Sequence, residues 1–170
     1  GFKGGTAALL FYNLNRASID LDFDLLDESK ESKVFEKINK IAKSYGTIID
    51  SRIKHFNLLN VISYAPGAQK IKVEVNRRNF DSKYEVMTIL GISMLVMIRE
   101  DMFAHKLMAM HERVGKTSRD IYDVWFFLKN NWPINKEIVE QRSALSFKEL
   151  LKKSVEQLEK MDNKHILDGL

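Results

Sequence analysis

A chain of 170 residues with 45% apolar content can bury one sizeable core and a small second lobe. The absence of cysteine excludes disulfides and thiolate zinc sites and fits a reducing, cytoplasmic setting. A net charge of +4 permits a polyanionic partner without requiring one. No secretory signal is visible. The longest apolar run, Val86 to Ile98, is broken by Thr88, Gly91 and Ser93 and falls short of the ~20 residues of a bilayer span. No membrane partner is expected. The chain begins at Gly1 rather than Met and ends Asp168-Gly169-Leu170, which is the expectation for a fragment or trimmed chain.

In chain order, Thr6 to Leu14 predicts a short helix behind Gly4 and Gly5, with Thr6 as its N-cap. Ser18 to Leu25 predicts a strand. Lys30 to Tyr45 carries Val34, Ile38 and Ile41 at helical spacing and stops at Gly46. Thr47 to Lys54 and Leu58 to Tyr64 predict strands around a turn near Asn57, and Pro66-Gly67 marks a tight turn. Lys70 to Asn76 alternates, with Ile71, Val73 and Val75 on one face and Lys72, Glu74 and Asn76 on the other. Val86 to Met97 is read as a buried strand.

From there the pattern turns helical. Helices are expected over Arg99 to Arg113, Ser118 to Asn130 with Ser118 as N-cap, Asn135 to Ser143, and Ser146 to Met161. Pro133 interrupts the series. The methionines and Tyr122, Trp125, Phe126 and Leu128 read as core rather than as a platform for stacked bases. The fold class is α+β: a mixed-sheet core over residues 1–97 and a helical lobe over 98–170, packed together without a flexible linker.

Strand side chains alternate faces, so Asp20 and Asp22 would point one way and Leu21 and Phe23 the other. Asp24 extends that face and is read as a surface residue. If the strand carrying Glu74 lies alongside, three carboxylates converge, and like charges that close need a cation. Magnesium suits hard oxygen ligands and shared phosphates, and two ions about 3.5–4 Å apart could stabilise both oxygens of an in-line displacement. On spacing alone a second reading stays open, in which these are ordinary acids on a solvated strand face.

Gly4, Gly5 and Thr6 would let a phosphate approach the backbone N–H groups at a helix start, or would simply form a turn. Lys106 and Arg113 share a helix face and could neutralise a triphosphate, or could both be solvated. Arg119 and Asp123 are spaced for an intrahelical pair, and Asp120 favours a helix start or faces Lys106 across the helix pair. His105 is expected to pair with Asp101 in an exposed contact. Ser18 has no His and Asp partners in any hydrolase pattern.

Together these segments resemble a known family. Gly4-Gly5-Thr6-Ala7, Tyr12 to Arg16 and Ser18-Ile19-Asp20-Leu21-Asp22-Phe23 resemble the opening motif of the AbiEii nucleotidyltransferase toxins. Lys72-Val73-Glu74-Val75, Glu100 to Ala109 through Arg113, and Ser118 to Val124 continue the match in order. The resemblance implies a DNA polymerase β-like core with a C-terminal helical lobe. It implies Mg²⁺-dependent transfer of a nucleotide from a nucleoside triphosphate to an acceptor such as tRNA. It also implies a cognate antitoxin and a place in abortive infection, a phage defence. By position, Gly4, Gly5 and Thr6 would hold the triphosphate, with Lys106 and Arg113 as further phosphate contacts. Asp20, Asp22 and Glu74 would hold metal, and Glu74 would also help take the acceptor's proton. Lys106 and Asp120 would be required for activity, supported by Ser18, Arg119 and Asp123. His105 stands where relatives often carry an acid, and Glu74 where some transferases use Asp. Two rival functions remain: a small-molecule transferase of the antibiotic-modifying kind, and a non-catalytic relative that binds antitoxin or RNA.

Overall fold

The computed structural model describes residues 1–161, so the end of the expected lobe, 162–170, lies outside the described residues. A seven-stranded mixed sheet runs in the order β3-β4-β5-β2-β1-β7-β6. Its strands are β1 (Phe2–Lys3), β2 (Leu21–Asp24), β3 (Thr47–Ile53), β4 (Asn57–Ser63), β5 (Ile71–Asn76), β6 (Tyr84–Ile89) and β7 (Ile92–Met97). Among the described residues six α-helices accompany it: α1 (Gly4–Tyr12), α2 (Glu31–Tyr45), α3 (Arg99–Arg113), α4 (Ser118–Lys129), α5 (Lys136–Ser143) and α6 (Phe147–Glu159). Contacts divide the chain into two compact units, Gly1–Asn79 with Tyr84–Val96, and Phe80–Lys83 with the residues from Met97 on.

In the first unit, the alternation read in β5 is what the sheet uses. Val73 and Val75 are buried, and Val73 joins Ala42 of α2 and Ile62 of β4 in one cluster, flanked by Leu21, Phe23 and Ile38. Each valine so buried stabilises the fold by about 1.5–3 kcal/mol. Along α2 the small Ala42 makes this contact, while Ile41, expected on the apolar stripe, is exposed. The strand β1 is only two residues long, yet it pairs antiparallel with β2 (Phe2↔Phe23, Lys3↔Asp22) and parallel with β7 (Phe2↔Val96).

The apolar run read as one buried strand is instead the hairpin β6–β7. Leu90 and Gly91 turn the chain with φ of 49° and 77°, the paired positive values a two-residue hairpin loop requires. Val86 is 70% and Leu90 94% exposed, while burial is confined to Val96 and Met97. Asp24, read as a surface acid, is a structural one, only 10% exposed in its side chain. It accepts from Lys3 at 2.6 Å, Asn76 at 2.6 Å and the Tyr84 hydroxyl. Burial raises its pKa, but the Lys3 ammonium and these hydrogen bonds outweigh it and hold the carboxyl below its usual range.

In the second unit, Met102, Phe103, Leu107, Met108 and Met110 of α3 are buried. Phe127 stacks on Trp132 at 4.1 Å and meets the edge of Phe103 at 5.5 Å. Phe127 therefore takes the core place that Trp125 and Leu128 were expected to fill, and both of those are exposed. Thr117, not Ser118, is the N-cap of α4. Ser146 and Glu149 close α6 with a full capping box.

Candidate active site

The helix α1 begins two residues earlier than its glycines suggest, with Lys3 as N-cap and Gly4 and Gly5 in the first turn. Both glycines are required by what lies against them. Gly4 has a φ of 79°, and a Cβ there would stand 2.4 Å from Asp22 Oδ2. A Cβ on Gly5 would stand 2.7 Å from Ser18 Oγ and 2.9 Å from Arg16 Nη2. Thr6 is not a cap. It is buried inside the helix, where its hydroxyl donates to the Asp20 carbonyl and lies 3.0 Å from Ser18 Oγ. The Asp20 carbonyl thus accepts from Thr6, and Asp20 precedes the strand, which starts only at Leu21.

Asp22 and Glu74 nevertheless come side by side. The strands β2 and β5 are parallel neighbours, with Asp22 opposite Glu74. Lys72, two residues before Glu74, places its Nζ 2.7 Å from Glu74 Oε2 and 3.6 Å from Asp20 Oδ2. The other Glu74 oxygen accepts from the Asn57 amide. Burial lowers the pKa of Lys72, but the hydrogen bond to Glu74 and the charges of Glu74, Asp20 and Asp22 outweigh it and raise the pKa above the ordinary lysine value. Lys72 is thus a fixed cation at neutral pH, not a base. Lys72, Asn57 and Arg16 were missed as site residues. A lysine on a polar strand face looks the same whether it faces water or neutralises a cluster.

The residues fit a divalent cation. Their donors are hard carboxylate oxygens, and an ammonium already sits beside those of Glu74 and Asp20. Among the described residues no three acids or histidines are grouped closely enough to hold an ion as they stand. Gly4→Ala should lose about 1–2 kcal/mol from its left-handed backbone alone, and more because Asp22 must move. Gly67→Ala is the control, since Gly67 has a φ of 73° with nothing within 4 Å. Chemical denaturation should show the larger loss at Gly4, and equal losses would remove the claim that Gly4 makes room for Asp22.

In the helical unit, Lys106 Nζ lies 2.6 Å from Asp123 Oδ2 and 3.6 Å from Asp120 Oδ1. Arg113 Nη2 lies 2.8 Å from Asp120 Oδ2. The expected facing of Lys106 and Asp120 is present, but the shorter partner is Asp123, which had been assigned to Arg119. Asp123 is fully buried and Lys106 is 15% exposed, whereas Arg113 is half exposed. Arg119 is exposed at the first turn of α4.

His105 does not pair with Asp101. Arg142 Nη1 donates to His105 Nδ1 at 2.8 Å, which leaves the Nε2 proton for Ser82 Oγ at 2.8 Å. Asp101 is buried and accepts from the Lys83 N–H and from Asn135.

Two solved structures share the fold. JHP933 from Helicobacter pylori is 20% identical, with a TM-score of 0.55, covering 92% of this chain and 79% of that one. An antigenic nucleotidyltransferase-like protein from Paracoccidioides brasiliensis is 18% identical, with a TM-score of 0.57, covering 94% and 79%. A search of curated protein sequences gives no match. The model of the family described as nucleotidyl transferase AbiEii toxin, type IV TA system, matches residues 2–168, and the chain belongs to this family. It is a nucleotidyltransferase. No helix among the described residues is long and apolar enough to cross a membrane.

Proposed function

We propose that this protein moves a nucleotide from a nucleoside triphosphate to the end of an RNA such as tRNA, as a cytoplasmic toxin held in check by a cognate antitoxin and serving phage defence. The observation that supports the reading is the ammonium shared by Glu74 and Asp20, with Asp22 in register opposite Glu74 and packed against Gly4. Asp20 and Asp22, with Glu74, would hold two magnesium ions. When bound, the ions would offset charge on the triphosphate and polarise the phosphoryl group.

The protein's own part is positioning and charge. The turn at Gly4 and Gly5 admits a phosphate to the open N–H groups of α1, where the helix dipole favours an anion. Thr6 and Ser18 hold the segment bearing Asp20 against that helix. Glu74 has one oxygen on Asn57 and the other on Lys72, which suits a ligand better than a base. Lys106 and Asp120 would be the residues required on the helical unit, with Arg119 and Asp123 supporting them. Arg113, with a half-exposed guanidinium, has donors to offer a phosphate. The net charge of +4 favours an RNA acceptor over a small neutral one.

The test is incubation with Mg²⁺, total cellular RNA and each labelled triphosphate in turn, with a chelator control and an aminoglycoside in place of RNA. Label in tRNA-sized RNA, lost with chelator, is expected. Label on the aminoglycoside alone would replace RNA by a small-molecule acceptor. No transfer to anything would leave the non-catalytic relative.

A further inference from the structure

We propose that Lys72 is the built-in counter-ion of the carboxylate site, and that a divalent cation enters by displacing its ammonium from Glu74 and Asp20. The inference rests on the metal-dependent reading above and adds a residue to which that reading assigns no part.

Asp20, Asp22 and Glu74 carry three negative charges, and Lys72 supplies one positive charge within 2.7 Å of Glu74 and 3.6 Å of Asp20. Without such a cation, acids on adjacent strands would repel one another. The register favours the placement. Asp22 is fixed opposite Glu74, and Lys72 shares the face of β5 that Glu74 occupies. Asn57, on the neighbouring strand β4, holds the other Glu74 oxygen, so the carboxylate is pinned from both sides.

The same placement makes Lys72 a competitor. Glu74 Oε2 and Asp20 Oδ2, the oxygens that Lys72 contacts, are donors a divalent cation would use. Two divalent ions over-neutralise three carboxylates, so an ammonium between them is then repelled. Lys72 is 39% exposed in its side chain, on a long flexible stem that can swing outward without disturbing the strand. The released ammonium remains tethered at the site, where an incoming triphosphate offers it new oxygens.

The experiment measures Mn²⁺ binding by electron paramagnetic resonance on the full chain without nucleotide, together with melting midpoints in chelator and in excess Mg²⁺. Lys72→Met is expected to bind Mn²⁺ about fivefold more tightly, the worth of a partly exposed ion pair. It should also melt lower in chelator and gain more than wild type from Mg²⁺. Lys72→Arg, which keeps the charge, should stay near wild type. In wild type, the Lys72 Cε resonance should move toward the value of a solvated lysine as Mg²⁺ is added, a readout independent of any variant's folding. Unchanged or weaker Mn²⁺ binding in Lys72→Met, or a Cε resonance that does not move, overturns this proposal and leaves the metal reading standing. If wild type binds no Mn²⁺ at millimolar concentration, both fall together.

Discussion

Asp22→Asn should abolish nucleotide transfer while leaving the fold intact. Asp22 is central to the proposed site in three ways. It is paired in register with Glu74, it lies in the field that raises Lys72, and its Oδ2 fills the space that the missing side chain of Gly4 leaves. Asparagine keeps the volume and removes the charge, so packing survives and a hard anionic ligand does not. Changes to groups that merely support metal ligands cost about 10–100-fold, and loss of a ligand should exceed that. Labelled-triphosphate transfer should therefore fall by more than about a hundredfold. The circular dichroism spectrum and melting midpoint in chelator should stay close to wild type. Transfer retained within a few-fold would falsify the metal role of Asp22.

Lys106→Met should cost stability before it reports on catalysis. Lys106 Nζ is 2.6 Å from Asp123, whose side chain is fully buried, and also faces the nearly buried Asp120. Removing one partner of a buried pair leaves an uncompensated charge and costs about 3–5 kcal/mol. Denaturant unfolding should show a loss of that size. Lys106→Met combined with Asp123→Asn should recover much of it, because the orphaned carboxylate is then gone. The double variant also isolates function. Recovered stability with transfer still absent assigns the Lys106–Asp123 pair a role in the reaction beyond stability. Recovered stability with recovered transfer makes Lys106 a structural residue. A single variant as stable as wild type would contradict the buried pairing itself.

Strand β5 was legible because a half-buried strand repeats every two residues, and Val73 and Val75 fall on the buried side. Helix α3 was legible to the residue, since its apolar positions keep one period over Arg99–Arg113. Other features depend on neighbours that spacing does not encode. Gly4 and Gly5 are poor helix formers, so a helix starting after them was the natural reading. Tertiary contact overrides propensity here, because only a residue without Cβ lets Asp22 and Ser18 approach. The hairpin β6–β7 was hidden because its apolar residues do not alternate and Leu90, at a φ of 49°, is an unusual turn residue. The pairing of Asp22 with Glu74 could be supposed but not read, since register belongs to the sheet rather than to either strand. The part of Lys72 follows from that register and was hidden with it.

The seam at β1 bears on how the protein comes into being. Two residues, Phe2 and Lys3, join β2 and β7, and the chain passes from them straight into the glycine turn. Phe2 cannot meet Val96 until both have been synthesised, a closure across most of the first unit. A nascent chain therefore carries that corner clamped on one flank only. The strands bearing Asp22 and Glu74 are complete before the hairpin leaves the ribosome, so the acidic face can form early while the second flank of β1 closes last.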